Sequence, residues 1–206
     1  MRPASLLVFA KPPRIGLSKT RLARSLGSPG EARRIATMTL GRTLRAVANA
    51  KARPAIYVAP DAALDAPLAK MPADRMARRS QGHGDLTARL NKGLIEAPIG
   101  PVLFLGADTP DLTPALLRQA IRALRRHDAV FGPARDGGFW LFGLNKTSRT
   151  HSPFHNCRWS GPHAMEDVWR NLPFGARVSV LPRLIDIDEA QDWMDWKAKR
   201  RAGAGS

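Results

Sequence analysis

The chain has 206 residues, 44% of them hydrophobic and 24% charged, the profile of a globular protein that buries a core without disulfide or metal staples. That balance excludes a disordered, collagen-like or coiled-coil chain, and no apolar run approaches the roughly 18 residues of a membrane span. Lys and Arg number 33 against 17 Asp and Glu, a net charge of +16 that attracts nucleotides, phosphorylated substrates or nucleic acid. The arginines are spread over most of the chain, so arginine-rich coding or general solubility accounts for the excess equally well.

Residues 5–10, Ser-Leu-Leu-Val-Phe-Ala, form the short apolar run of a buried parallel strand rather than a signal peptide, because Lys11 follows without a small-residue cleavage site. Residues 11–24 read as a Pro/Gly-containing loop. Ser28-Pro29-Gly30-Glu31 reads as a capping box opening a helix through Ile35, Met38, Leu44 and Val47. Residues 54–59 are a second strand ended by Pro60. Residues 61–80 carry short helical potential and then a basic segment, Arg75 to Arg79.

Leu86, Leu90 and Leu94 share one face of a helix predicted over 85–96, and Val102 to Leu105 is the clearest strand in the sequence. Thr113-Pro114 opens another helix, carrying Leu116, Leu117, Ala120, Ile121 and Leu124. Residues 129–131 and 139–142 are two more strands joined across Gly137-Gly138. Residues 178–181 are a last strand, and 189–200 a last amphipathic helix. This alternation predicts a three-layer α/β/α fold around a mostly parallel mixed sheet, with an antiparallel excursion near 129–142. Residues 1–196 read as one domain and 197–206 as a basic, frayed tail. One cysteine, Cys157, cannot pair internally and points to the cytoplasm.

Ligands of open α/β sheets bind beyond the carboxyl ends of the strands, so the residues just past each strand are the candidates. Residues 11–24 hold Lys11, Arg14, Lys19, Arg21 and Arg24 with no acid, and Gly16 lies among them. Backbone N–H groups, Lys point charges and Arg forks in such a loop suit a polyphosphate. It is neither a Walker A loop, which needs Gly directly before Lys-Thr, nor a three-glycine dinucleotide fingerprint; a solvated basic loop is the bland alternative. Asp108, in Gly106-Ala107-Asp108-Thr109-Pro110-Asp111, stands where a carboxylate can hold Mg²⁺ or Mn²⁺, or else make an Asx turn, for which Asp111 is better placed. Asp186 and Asp188 alternate onto one face that can meet Asp108, although Asp188 is also positioned to cap the last helix. Asp136-Gly137-Gly138 fits a ligand-approach loop or a plain hairpin turn.

Together these segments resemble a family of bacterial GT-A-type glycosyltransferases of uncertain substrate. The resemblance rests on Phe9 to Leu22, Gln81-Gly-His-Gly-Asp85-Leu, Leu105-Gly-Ala-Asp108-Thr-Pro, Gly132 to Leu144, Trp159-Ser160 and Asp186-Ile-Asp188, in order over about residues 5–195. The wider superfamily, the nucleotide-diphospho-sugar transferases, also contains nucleotidyltransferases such as the 2-phospholactate guanylyltransferases. The resemblance implies that Lys11, Lys19 and Arg21 hold nucleotide phosphates, with Gly16 in the same phosphate loop. It implies that Asp108, with Lys19, carries the catalytic role and is the principal metal ligand, with Asp188 or Asp186 as the second, and that Asp85, Gly137 and Gly138 line the nucleotide or acceptor pocket. Arg135, Gly161 and Glu189-Ala190 depart from the family's pattern, all on the acceptor side.

The expected activity is therefore metal-dependent transfer from a nucleotide diphosphate donor to a small acceptor, foremost of a glycosyl group. Nucleotidyl transfer from a nucleoside triphosphate to a phosphorylated acceptor, with release of pyrophosphate, is the alternative. A nucleic-acid-binding module is the rival from another class, but the chain has no recognisable binding motif, and only 6% of its residues are aromatic. His151, His155, Cys157 and His163 fit no paired zinc-ligand spacing. Trp193 and Trp196 read as a packing face or a subunit contact, which leaves room for an oligomer.

Overall fold

The computed structural model describes residues 2–68 and 76–203. Arg75 of the expected basic segment and residues 204–206 of the expected tail lie outside them. Seven strands form one sheet: β1 (Ser5–Ala10), β2 (Arg53–Val58), β3 (Ala77–Ser80), β4 (Gly100–Leu105), β5 (Ala129–Pro133), β6 (Phe139–Lys146) and β7 (Val178–Val180). Their order is β3-β2-β1-β4-β6-β5-β7. All neighbours are parallel except β6, which runs antiparallel to both β4 and β5. This is the expected mixed sheet with its antiparallel excursion. Because β1 has β2 on one side and β4 on the other, the chain reverses its direction of travel across the sheet there, and a crevice opens between the carboxyl ends of β1 and β4.

Among the described residues six α-helices flank the sheet: α1 (Thr20–Leu26), α2 (Pro29–Ala48), α3 (Leu86–Glu96), α4 (Pro114–Ala123), α5 (Ala164–Arg170) and α6 (Ala190–Gly203). Alternation along the strands divides the core between the two faces. Leu6, Val8, Ile56, Leu103 and Val130 pack against Leu40, Leu44 and Leu117 of α2 and α4. Leu7, Tyr57, Phe104, Phe131 and Phe142 face the other way, onto Leu90 and Leu94 of α3 and Val168 of α5. No helix among the described residues is long and apolar enough to cross a membrane.

Local chemistry sets most of the boundaries. The Ser28 hydroxyl accepts the Glu31 N–H at 3.3 Å, and the Thr113 hydroxyl accepts that of Leu116 at 3.2 Å. The reciprocal half of the expected capping box does not form, because the Glu31 carboxylate is engaged by the Arg34 guanidinium at 2.6 and 2.8 Å. The Lys146 ammonium, at the end of β6, donates to the carbonyls of Leu94, Ile95 and Ala97 at 2.6–2.9 Å and closes the end of α3.

Four elements differ from the sequence reading. The loop expected over 11–24 gives way at Thr20 to α1, whose single buried residue is Leu22; one apolar anchor leaves no periodicity to detect. Strand β3, Ala-Arg-Arg-Ser, is an edge strand with no fully buried residue, so it reads as a charged segment. Helix α5, which lies between the last two strands, has no counterpart in the reading. Helix α6 continues to Gly203 through most of the expected tail, since Ala, Lys and Arg are strong helix formers and Trp193 and Trp196 anchor the element.

Phe104 is 2% exposed and contacts the rings of Phe9, Phe142 and Phe154. Phe104→Ala should lower the unfolding free energy by about 3–5 kcal/mol, read as a shift of the urea midpoint at unchanged slope.

Candidate active site

The loop after β1 turns at Gly16, with φ of 78°, and reaches Lys19, a non-glycine residue with φ of 54° and ψ of 41°. Left-handed backbone at a lysine costs of order 1 kcal/mol or more, and such residues cluster at functional sites. Here the conformation starts α1 and sends the side chain inward, where it is 6% exposed. Its ammonium lies 2.7 Å from Asp108 Oδ1 and 2.9 Å from Asp188 Oδ1. Arg21 donates from Nη2 to the other oxygen of Asp188 at 2.5 Å. The structure thus joins the ends of β1 and β4 with the segment after β7, and Ile187 adds a backbone bond to the Asp108 carbonyl at 3.0 Å.

Burial alone would push the Lys19 ammonium down, but Asp108 and Asp188 outweigh it and hold the pKa above the ordinary lysine value. Burial likewise pushes Asp188 up, and Lys19 and Arg21 bring it below the usual carboxylate range. Among the described residues Asp186 makes no close ion pair, and the charge of Lys19 offsets its burial only in part. Burial first, and then the charges of Asp136 and Asp188, push it up to about 7. Oxygens of Asp136, Asp186 and Asp188 lie within 4.8 Å of one another. Asp136 therefore takes the third place beside the expected Asp186 and Asp188, while Asp108 stands outside this cluster on Lys19. The sequence offered Asp136 as part of a ligand-approach loop or a plain hairpin turn, not as an acid beside Asp186; its position three residues past β5 was the available signal.

Lys11, Arg21 and Arg89 line the cleft around Lys19, a space of about 430 Å³. Gln81 forms its floor: the side-chain amide donates to the carbonyls of Ala10 at 3.2 Å and Tyr57 at 2.8 Å, bracing the ends of β1 and β2. Asp85 accepts the Ala88 N–H at 2.9 Å as the N-cap of α3 and is not among the cleft's lining residues. Gly138 lines an adjoining pocket and donates its N–H to Asp136 Oδ1 at 2.9 Å. Gly137, with φ of 87°, packs so close to Pro162 that a Cβ would sit 2.2 Å from its carbonyl oxygen. The Trp159-Ser160 loop is fastened by Asp167, whose carboxylate accepts three bonds from Arg158 at 2.7–2.9 Å. Of the remaining candidates, Trp193 and Trp196 stack on each other inside the chain's own packing. Among the described residues, His151, His155, Cys157 and His163 gather into no ligand cluster.

A comparison with curated proteins finds no match. Among solved structures, the chain is similar to a protein of Desulfovibrio desulfuricans G20 provisionally assigned as a nucleotide-diphospho-sugar transferase. The two share 29% identity over 94% of this chain and 85% of that one, with a TM-score of 0.80. At 13% identity, 4-diphosphocytidyl-2C-methyl-D-erythritol synthase from Anaerococcus prevotii DSM 20548 shares the fold over 97% of this chain and 99% of its own, with a TM-score of 0.62. So does Rv0371c of Mycobacterium tuberculosis H37Rv, solved with manganese, at 16% identity over 94% and 97% of the two chains and a TM-score of 0.55. The fold is thus that of the nucleotide-diphospho-sugar transferases and nucleotidyltransferases. Residues 43–161, more than half of the chain, match the family described as "Uncharacterized protein conserved in bacteria (DUF2064)", and the chain belongs to that family.

Proposed function

We propose that this protein is a metal-dependent transferase that binds a nucleotide diphosphate donor in the Lys19 cleft and transfers its glycosyl group to a small acceptor. The observation that carries the reading is the buried Lys19 ammonium, shared by Asp108 and Asp188 in a cleft rimmed by Lys11, Arg21 and Arg89. Cations facing carboxylates across a strand-end crevice are what a diphosphate and its divalent ion require together. A nucleotide substrate and a lone free cysteine, Cys157, fit a cytoplasmic enzyme.

The donor set fits Mg²⁺ or Mn²⁺: Asp136, Asp186 and Asp188 offer oxygen alone, and their crowding, felt in the raised Asp186 pKa, is relieved by a cation. Asp108, beside Asp188 across Lys19, is the fourth candidate ligand. When bound, the ion offsets negative charge gathering on the diphosphate. The side chains do the rest. Lys19 and Arg21 turn from their carboxylates to phosphate oxygens, Lys11 and Arg89 neutralise the outer face, and Gln81 keeps the strand ends in register beneath.

In the ligand-free site Lys19 and Arg21 balance Asp108 and Asp188. A metal alone displaces two cations, and a diphosphate alone strips two carboxylates of their partners; together they re-pair every charge. Nucleotide and metal should therefore strengthen each other's binding by about 5–150-fold, measured by calorimetric titration of each in the presence and absence of the other. Lys19→Met should weaken nucleotide binding at least tenfold, about 1.4 kcal/mol, while tightening the binding of Mn²⁺ alone. Equal loss of both would count against the exchange of partners. With an active acceptor, release of nucleoside diphosphate identifies glycosyl transfer. Pyrophosphate release from a nucleoside triphosphate identifies nucleotidyl transfer, which the basic opening loop also suits.

Asp186 generates a pH signature. Its pKa is about 7 in the folded protein against about 4 in an unfolded chain, so the folded state holds the extra proton between these values. The stability this supplies is complete below about pH 4 and is lost as pH rises through about 7. The metal-free protein should lose thermal stability across that window, and Asp186→Asn or added Mn²⁺ should flatten the slope.

A further inference from the structure

Past the three clustered carboxylates the cleft opens into a second pocket of about 190 Å³, and Phe9, Leu86 and Ser160 line both spaces. The two halves differ in chemistry. The Lys19 half carries Lys11, Lys19, Arg21 and Arg89. Among the described residues, the second half has no lysine, arginine or histidine on its wall, in a chain with 33 lysines and arginines. Its polar side chains are Asp136, Asp186 and Ser160, and its apolar surface includes the rings of Phe9, Phe104, Phe139 and Trp159.

These rings are held in place. The Trp159 indole donates to the Thr87 hydroxyl at 2.7 Å and meets Phe139 edge-on at 6.3 Å. Phe9 stacks between Tyr57 at 5.0 Å and Phe104 at 6.1 Å. Phe9, Phe139 and Trp159 are half-buried and Phe104 is buried, so rigid apolar ring surface stands beside carboxylate acceptors, which suits a ring with C–H groups on its faces and hydroxyls at its edge. A phosphate or carboxylate entering here would find no positive side chain, and the divalent ion proposed for Asp136 and Asp186 is the one positive charge near it, already shared with the donor diphosphate. An ammonium group would compete with the divalent ion proposed for the same acids.

We infer that the aromatic pocket takes the acceptor, and that the acceptor is an uncharged, hydroxyl-bearing ring rather than a phosphomonoester. The inference rests on the transferase reading and narrows it, because it sets this chain apart from transfer onto a phosphorylated acceptor.

The test is saturation-transfer NMR on the full chain with Mg²⁺ and a mixture of nucleoside diphosphates. The probes are methyl hexopyranosides and myo-inositol, the matching hexose 6-phosphates, and glucosamine. The expected result is saturation of at least one neutral ring, at least about fivefold weaker in Trp159→Ala. Gly161→Leu is the second variant: it lies on the pocket wall, and its added Cβ meets nothing within 4 Å, so it obstructs the pocket without straining the fold. Preference for a hexose phosphate or for glucosamine overturns the proposal, as does neutral-ring binding that neither variant weakens, or no binding of any neutral ring. Failure of the transferase reading shows separately, as absence of nucleotide binding in the calorimetric titration.

Discussion

One ammonium group holds the site together. Lys19 sits on the loop after β1, Asp108 at the end of β4 and Asp188 beyond β7, and its two ion pairs are what these three segments share. A charge buried to this depth survives only when it is paired, and removing one partner of such a group typically costs about 3–5 kcal/mol. The left-handed backbone at Lys19 is the local expense of directing the side chain inward. With Arg21 on the far oxygen of Asp188, the constellation is close to neutral while still presenting both signs of charge to the crevice.

Some of the remaining positive charge has a different use. Helix α6, expected to be amphipathic, has little such pattern, because charged residues surround its two buried side chains; it docks through Trp193 and Trp196, which stack at 5.2 Å. Arg34 and Lys197 lie over the first indole, Arg42 and Arg200 over the second, all within 5.9 Å of the ring centres. Such contacts contribute about 0.5–1 kcal/mol each at exposed positions. Part of the net charge of +16 therefore serves to fasten one helix to another, which weakens the case for reading it as a nucleic-acid footprint.

The parts of the fold written in short-range chemistry were legible in the sequence. The runs 5–10 and 102–105 are buried on both faces and could be little else than central strands; Ser28-Pro29 and Thr113-Pro114 mark helix starts through bonds made within four residues. Helix α1 and strand β3 were not legible, because each is held by long-range packing or pairing rather than by its own pattern. The same division runs through the site. Asp108, Asp186 and Asp188 were visible as acids beyond strand ends, and Lys19 as one of five cations in residues 11–24. That Lys19 is the buried one, and that Asp136 joins the acids, depends on strands far apart in sequence lying side by side. Asp85 illustrates the converse: the structure places it as the N-cap of α3, a duty set by its three-residue spacing to Ala88.

Two departures from the resembled pattern become intelligible through α6. Arg135 pairs with Asp195 at 2.6 Å, tying the loop that carries Asp136 to the helix. In the Asp188-Glu189-Ala190 turn, the N–H groups of Asp188 and Glu189 are both satisfied by the Asp192 carboxylate, at 3.1 and 2.9 Å, while Ala190 donates to Ser25 of α1. Arg135, Glu189 and Ala190 are not among the residues lining the cleft or the pocket beside it; each connects a loop bearing a site acid to the tryptophan-anchored helix or to α1. The spacing of Asp136, Asp186 and Asp188 is then set by α6 as well as by the sheet. Carboxylates this close disfavour one another's charged form, which, after burial, contributes to the raised Asp186 pKa, and bracing from α6 helps keep the loops that carry them together.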